Sequence, residues 1–396
     1  MITRFHIENF KSLADFDLPP EGHELAGFTC LIGMNGAGKT TLLQAFDFTA
    51  QLMRGRVEEW LESREWDRMD LATNLGGEKR PSIQIAVDLT LNQTTKVTWT
   101  ACYHSPSVQC VTENITEGDE MLLSLVSAGS LTVAGRPGEP SEHYKNVPFE
   151  YEGSVLSTLN LENAHPLLNE VKRHLISLRS LELLAPQLMR RSSRESEDIG
   201  SSGERLTGFL AQLSVEQRDD LRKQISRFYP QVQNWRIRDK QFGWKGLLVK
   251  ESTMGGREVT EAHINDGFLR VIAMLSQAYT GSKILLLDEV ENGINPAIAD
   301  ELMDFLVSLS REGTQVIVTT HSPVVLNYLE DDVAKAGVIL LFKSPDGRTQ
   351  SRRYFDVPEN ERKLRALGPG EVFLDTSIED LVSRLAKEAT PSEAAT

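Results

Sequence analysis

The chain has 396 residues, 40% of them apolar and 25% charged, with a formal net charge of −15 at pH 7. That content can bury a sizeable core divided into two or three structural units, whereas the acidic balance argues against a protein coated in DNA, because phosphate-neutralising surfaces are basic. Three scattered cysteines, Cys30, Cys102 and Cys110, lack C-x-x-C spacing and argue for reduced thiols in a cytosol and against a zinc site; no run reaches transmembrane length and Met1-Ile2-Thr3-Arg4 lacks a signal-peptide pattern, so a cytoplasmic protein without membrane contact is expected.

The apolar run Phe28-Thr29-Cys30-Leu31-Ile32 reads as a buried strand, and from Lys39 onward Leu42, Leu43 and Phe46 share one helical face. Between them lies Gly33-Met34-Asn35-Gly36-Ala37-Gly38-Lys39-Thr40, which fits the phosphate-loop pattern G-x-x-x-x-G-K-[ST]. Backbone N–H groups of such a loop wrap phosphates at a helix N-terminus, and glycine is required where the backbone must approach the ligand. Lys39 would reach the β- and γ-oxygens and the Thr40 hydroxyl would ligate Mg²⁺, which makes Asn35, Gly36, Gly38, Lys39, Thr40 and Thr41 candidates for binding ATP or GTP. An ordinary glycine turn is the competing reading, and the flanking strand and helix weigh against it.

Residues 51–80 read as a charged helical segment with Trp60 and Trp66. Alternating strands follow near Ile83–Leu89 and Lys96–Thr100 and would form an antiparallel side sheet. From about 115 to 155 the pattern fades into Gly, Ser, Pro and Glu, which suggests exposed turns or a flexible excursion. Helical periodicity returns over 156–228, broken near Arg191–Ser196 and at Gly200-Ser201-Ser202-Gly203. No heptad pattern is sustained, so long coiled-coil arms are not expected. The basic residues of this lobe, Lys172, Arg173, His174, Arg179, Arg190, Arg191 and Arg194, are the best local candidate for a DNA contact, though a solvated helix face is favoured and no aromatic interleaving adds to the nucleic-acid case.

A hairpin turning at Met254-Gly255-Gly256 is expected within 242–259. Ile284-Leu285-Leu286-Leu287-Asp288-Glu289 is an apolar strand ending in two carboxylates, the Walker B form, in which Asp288 would hold the Mg²⁺ shell and Glu289 would orient or deprotonate the attacking water. Pro296 suits a helix N1 position, and Ile298, Leu302, Phe305, Leu306 and Leu309 keep helical spacing before the strand Gln315–Thr319, completing a βαβ unit. The unit ends in Thr320-His321-Ser322-Pro323. A lone histidine is more often structural, but this one stands at the carboxyl end of a strand, where open α/β sheets bind ligands. One more strand, Gly337–Phe342, precedes a polar tail expected to be partly frayed.

The order of these motifs, with Asp266-Gly267-Phe268-Leu269-Arg270 before the Walker B strand and Glu291-Asn292-Gly293-Ile294-Asn295-Pro296 after it, resembles ABC-class, AAA-type ATPases of the RecF, SMC and OLD (overcoming lysogenization defect) group. Ile7-Glu8-Asn9-Phe10-Lys11-Ser12 is similar to the opening strand and turn of that group. The resemblance implies an α/β ABC-ATPase head: a mixed, largely parallel P-loop core sheet, an antiparallel side sheet and an inserted helical lobe. It further implies head-to-tail pairing of two copies, or a higher assembly, with each ATP sandwiched between one copy's Walker motifs and the other's signature, here Asn265, Asp266 and Gly267. Lys11 as a nucleotide contact and His321 as a γ-phosphate contact follow from the same likeness. A transporter-type L-S-G-G-Q is absent; Asn265 stands where a serine is usual, and it retains the capacity to cap the helix and donate to a phosphate oxygen. Gln109 is one of several candidates for a metal-contacting glutamine.

On this reading residues 1–115 hold the first part of the head, 116–240 an inserted flexible segment and helical lobe, 241–345 the second part with signature, Walker B, D-loop and switch histidine, and 346–396 a C-terminal tail. Two classes of function stay open. In one, an ATPase using ATP and Mg²⁺ pairs and separates to control nucleic-acid processing or a separately encoded effector such as a nuclease, in the manner of stand-alone ATPases of bacterial anti-phage systems; the stretch after His321 is short for a fused nuclease domain. In the other, the chain is a slowly hydrolysing scaffold or sensor without direct DNA action. A transporter ATPase is a third and weaker reading.

Overall fold

The computed structural model describes all residues except 77–79, 128, 179, 184, 253–256 and 389–396. The chain divides into two compact units, Met1–Arg179 with Glu330–Thr396, and Ser180–Leu329.

The first unit opens with β1 (Ile2–Phe10) and β2 (Leu13–Leu18), an antiparallel pair, followed by β3 (Phe28–Ile32), every residue of which is buried. Then come β4 (Ser82–Leu91), β5 (Thr95–His104), β6 (Gln109–Glu117), β7 (Glu120–Leu125), β8 (Leu131–Val133) and β9 (Glu142–Tyr144). Antiparallel pairing orders them β2-β1-β4-β5-β6-β7-β8-β9. Alternation puts Phe5, Ile7, Ile85, Val87 and Trp99 in the core. The helix Lys39–Arg54 packs there through ring pairs, Phe5 with Phe46 at 4.3 Å between centroids and Phe10 with Phe48 at 5.5 Å. Each such buried ring contributes roughly 1.5–3 kcal/mol.

Residues 120–144, expected as turns, instead extend this sheet by three short strands. Their apolar content falls from four residues in β7 to two in β8 and one in β9, too little for a sustained periodic signal. The buried cross-strand pairs Leu123–Val133 and Leu125–Leu131 hold them in register.

The second unit carries β10 (Ser180–Leu181), β11 (Val232–Asp239), β12 (Lys245–Glu251), β13 (Glu258–Thr260), β14 (Ile284–Leu287) and β15 (Gln315–Thr319). β10, β14 and β15 pair in parallel, and β11, β12 and β13 form an antiparallel meander. β12 and β13 form the expected hairpin; its turn at Met254-Gly255-Gly256 lies outside the described residues. Helices Val215–Phe228, Asp266–Leu275 and Pro296–Arg311 each start on a side-chain cap, from Ser214, Asn265 and Asn295. Among the described residues no helix exceeds 16 residues, which suits a head without coiled-coil arms.

The chain then returns to the first unit. β16 (Val338–Lys343) pairs in parallel with β3, setting Val338 against Cys30, and β17 (Thr349–Arg353) pairs antiparallel with β16. The tail expected to fray is ordered through Glu388: helices Pro358–Leu364 and Pro369–Leu374 begin with proline at N1, and helix Ile378–Glu388 buries Leu381 and Leu385. Four residues apart, those leucines share one face. The final part of that expectation, residues 389–396, lies outside the described residues.

Candidate functional site

In the first unit the phosphate-loop pattern occupies the turn between β3 and the helix Lys39–Arg54. Gly38 caps that helix at φ 109°, a left-handed conformation that L side chains rarely adopt, and a Cβ there would run into the Thr349 hydroxyl. Asn35, Gly36 and Thr40 are exposed and Thr41 half-buried, so the loop presents its backbone outward at a helix N-terminus. Lys39 is buried, and its ammonium donates to the carbonyls of Gly33 at 2.8 Å and Met34 at 3.2 Å. It therefore lies along the loop that would enclose a triphosphate.

Thr349 of β17 holds the loop from behind. Its Oγ1 donates to the Ala37 carbonyl at 3.1 Å, meets Ser12 Oγ at 2.9 Å and accepts from Lys343 Nζ at 3.0 Å, while its N–H donates to the Ser12 carbonyl at 2.8 Å. Burial holds the Lys343 amine below its ordinary pKa. Lys11 is pinned in a left-handed turn, φ 50°, with its ammonium 3.2 Å from the centre of the Trp66 ring and donating to Gln44 Oε1 at 3.0 Å. Gln109 lies at the start of β6 and donates to the Tyr151 carbonyl.

In the second unit the Walker B strand β14 is wholly buried and ends at Asp288, itself buried. Thr319, the last residue of β15, forks between the two carboxylate residues: its hydroxyl donates to Asp288 Oδ1 at 2.6 Å and accepts from the Glu289 N–H at 2.8 Å. Glu289 has φ 47°, a strained value for a non-glycine residue, and its half-exposed carboxylate turns to His321, with Nε2 at 3.8 Å, and to Asn292 Nδ2 at 3.1 Å. The His321 N–H donates to Glu291 Oε1 at 2.8 Å. One carboxylate is thus buried and fixed, and its neighbour faces outward beside an imidazole.

The same unit gathers Asn265, Asp266 and Gly267, the residues expected to form a signature. Asn265 Oδ1 accepts from the Phe268 N–H at 3.2 Å and caps the helix Asp266–Leu275, whose Phe268, Val271, Ile272 and Leu275 are buried. Arg270 reaches from this helix to the Asn292 carbonyl and lies against Gly293, so the signature helix and the 291–296 loop are tied together. Desolvation holds the Arg270 guanidinium below its ordinary pKa. A Cβ on Gly267 would stand 2.9 Å from the Tyr229 hydroxyl and 3.1 Å from the Gly293 carbonyl. Burial pushes the Tyr229 phenol up to about 12, so this hydroxyl stays neutral.

The basic residues read as one lobe are spread over both units and are largely engaged. Arg190 pairs with the signature carboxylate of Asp266 and donates to the Ile264 carbonyl at 2.9 Å. Lys172 donates to the Ser157 carbonyl, and His174 Nε2 lies 3.1 Å from the N-terminal amine. Arg179 lies outside the described residues. Thr319, Thr349, Arg190, Arg270 and Tyr229 all support the site without having been singled out for that role. Only Arg270 carried a local signal, its place on the helix that opens at Asn265.

Residues 139–327 match the family model described as "AAA domain, putative AbiEii toxin, Type IV TA system", and residues 4–124 match a second AAA domain model. An OLD nuclease of Thermus scotoductus is 47% identical over 47 residues, 12% of this chain and 8% of that protein. The energy-coupling factor transporter ATP-binding protein EcfA of Methanosphaera stadtmanae is 28% identical over 71 residues, 18% of this chain and 26% of that one. The chain therefore spans about a quarter or less of the length of these curated relatives. Among solved structures, an Smc head bound to the C-terminal winged-helix domain of ScpA superposes with a TM-score of 0.55 at 13% identity, covering 89% of this chain and 96% of that one. An Smc head with an extended coiled coil, bound to the C-terminal domain of ScpA derived from Pyrococcus furiosus, gives 0.50 at 11% identity, covering 92% and 99%.

Fold and motifs together define a P-loop ATPase domain of the AAA and ABC kind. More narrowly, the fold is similar to that of Smc heads, and a 47-residue stretch is similar to an OLD nuclease.

Proposed function

We propose that the chain binds ATP with Mg²⁺ and hydrolyses it, and that ATP-driven pairing of two copies controls nucleic-acid processing or a separately encoded effector such as a nuclease, in defence against phage. The observation that carries the reading is the divergence of Asp288 and Glu289, one buried under Thr319 and the other half-exposed beside His321. Two adjacent carboxylates with different surroundings suit a division between metal and water. The hydroxyl of Thr40 and the carboxylate of Asp288 are oxygen donors of the kind Mg²⁺ takes, and the ion would neutralise charge developing on the phosphates. Lys39 would bind the β- and γ-oxygens, exchanging its loop carbonyls for them, and the loop N–H groups would hold the phosphate chain. Glu289 would accept the proton of the attacking water, with His321 orienting the γ-phosphate. The signature Asn265-Asp266-Gly267 would face the nucleotide of a second copy. The likeness to an OLD nuclease supports a nuclease as the effector, and DNA as a further contact rests on the family resemblance alone. Among the described residues no helix is long and apolar enough to cross a membrane, and a cytoplasmic setting is part of this reading.

The deciding experiment measures ATP binding by equilibrium dialysis and turnover with and without DNA, for the wild type and for Lys39→Ala. The variant is expected to keep the fold and lose nucleotide binding, because the loop loses its cation and no apolar core contact. Unchanged affinity would remove Lys39 from this role. Binding by the wild type without measurable turnover would move the chain to the nucleotide-dependent scaffold or sensor class.

A further inference from the structure

The β1–β2 ribbon buries Phe5, Ile7 and Phe10 on one face and carries His6, Glu8, Asp15 and Asp17 on the other. Its register sets Glu8 directly opposite Asp15 and His6 opposite Asp17. Like charges placed opposite one another weaken a strand pair, and among the described residues Asp15 makes no ion pair. One ligand atom from each of His6, Glu8 and Asp15 lies within 4.8 Å of the other two.

The imidazole is more than a neighbour of these carboxylates. With 17% of its side chain exposed, His6 turns Nε2 toward Glu8 Oε1 at 3.3 Å and its buried Nδ1 toward Asp17 Oδ2 at 3.2 Å. Asp17 is itself held by Arg4, whose Nε donates at 2.8 Å. Asp17 stands behind Nδ1 as an ion-pair partner that makes no hydrogen bond to it, while Nε2 is aimed at Glu8; a carboxylate on that side of the ring is also what orients histidine metal ligands. The site lies on the ribbon face opposite Phe5, Ile7 and Phe10, and the proposed function uses none of its residues.

We propose that His6, Glu8 and Asp15 form a binding site for a divalent transition-metal ion such as Zn²⁺, with Asp17 and Arg4 orienting the histidine. One imidazole nitrogen and two carboxylate oxygens suit Zn²⁺ better than Mg²⁺, which takes oxygen alone. Such an ion would relieve the opposed charges of Glu8 and Asp15 and clasp β1 to β2. The lack of C-x-x-C spacing argues only against a cysteine site.

The test titrates the full chain, stripped with chelator and free of nucleotide, with ZnCl₂ by calorimetry, and follows thermal unfolding with and without the ion. One Zn²⁺ per chain and a raised Tm are expected. His6→Ala should lose affinity by about tenfold or more, and Asp17→Asn by roughly 10–100-fold, the range for residues that orient ligands. Asp119→Asn, an exposed carboxylate in a turn of the same sheet, should change nothing. Should His6→Ala fail to fold, the exposed Asp15→Asn tests the same site. No uptake by the wild type would overturn the proposal. Uptake unchanged in both His6→Ala and Asp15→Asn would equally overturn it.

Discussion

Thr319 is a small residue with a large share in the candidate site, because one hydroxyl serves both Walker B carboxylate residues. Thr319→Val keeps the volume but leaves the buried Asp288 short of a donor, an expected loss of about 1–3 kcal/mol in urea unfolding. Freeing the Glu289 backbone from its left-handed conformation should lower turnover more than ATP affinity. The carboxylates themselves should fail differently. Glu289→Gln keeps size but cannot take the proton, so tight ATP binding, a trapped pair of copies and turnover lowered by roughly 10²-fold or more are expected. Asp288→Asn should weaken Mg²⁺-dependent binding, and His321→Ala should cause a milder hydrolysis defect. Single-turnover kinetics on the three variants separate these outcomes, and near-normal hydrolysis by Glu289→Gln would sink the catalytic assignment.

At the scale of elements, the antiparallel sheet is locked to the turn after Gly153 by Glu113 of β6. This buried carboxylate accepts from Trp99 Nε1 at 2.8 Å, Ser154 Oγ at 2.5 Å and the Val155 N–H at 2.8 Å. Burial raises its pKa, and these three donors pull it part of the way back. A carboxyl held above its unfolded value binds its proton more readily in the fold, so its stabilising effect is fullest at low pH and is lost as pH rises through the raised folded value. Glu113→Gln should abolish that pH dependence. It also turns amide hydrogens toward a donor, destabilising by about 1–3 kcal/mol. Urea midpoints across the weakly acidic to neutral range, wild type against variant, check both; parallel curves would show that Glu113 is not the titrating group.

For the whole molecule the question is whether ATP brings two copies together through the signature. Gly267 is already close-packed within its own chain, against Tyr229 and the Gly293 carbonyl, so a bulky replacement acts on more than one contact. Gly267→Val should retain ATP binding and lose ATP-dependent pairing, measured by sedimentation with a non-hydrolysable analogue. Adding Tyr229→Phe removes the nearest internal obstacle, and pairing should still be lost. Normal pairing in the double variant would contradict the head-to-tail assignment.

What the sequence determined by itself is local. A buried strand, a glycine loop and an amphipathic helix mark a phosphate-loop pattern; an apolar strand ending in Asp288 and Glu289 marks the Walker B form; Asn265 and Pro296 mark helix starts that the structure bears out. In each, the residues lie within a few positions of one another, where backbone propensity and side-chain period act directly. Tertiary structure alone decided the supports: Thr349 closing on Ala37 from 312 residues away, Arg190 on Asp266 across 76, Thr319 on Asp288 across 31. It also decided the strands of residues 120–144 and the ordered tail, whose few apolar residues become legible only against their partners. Contacts between distant residues leave no spacing in the chain, because the fold, not the backbone's local geometry, brings them within reach.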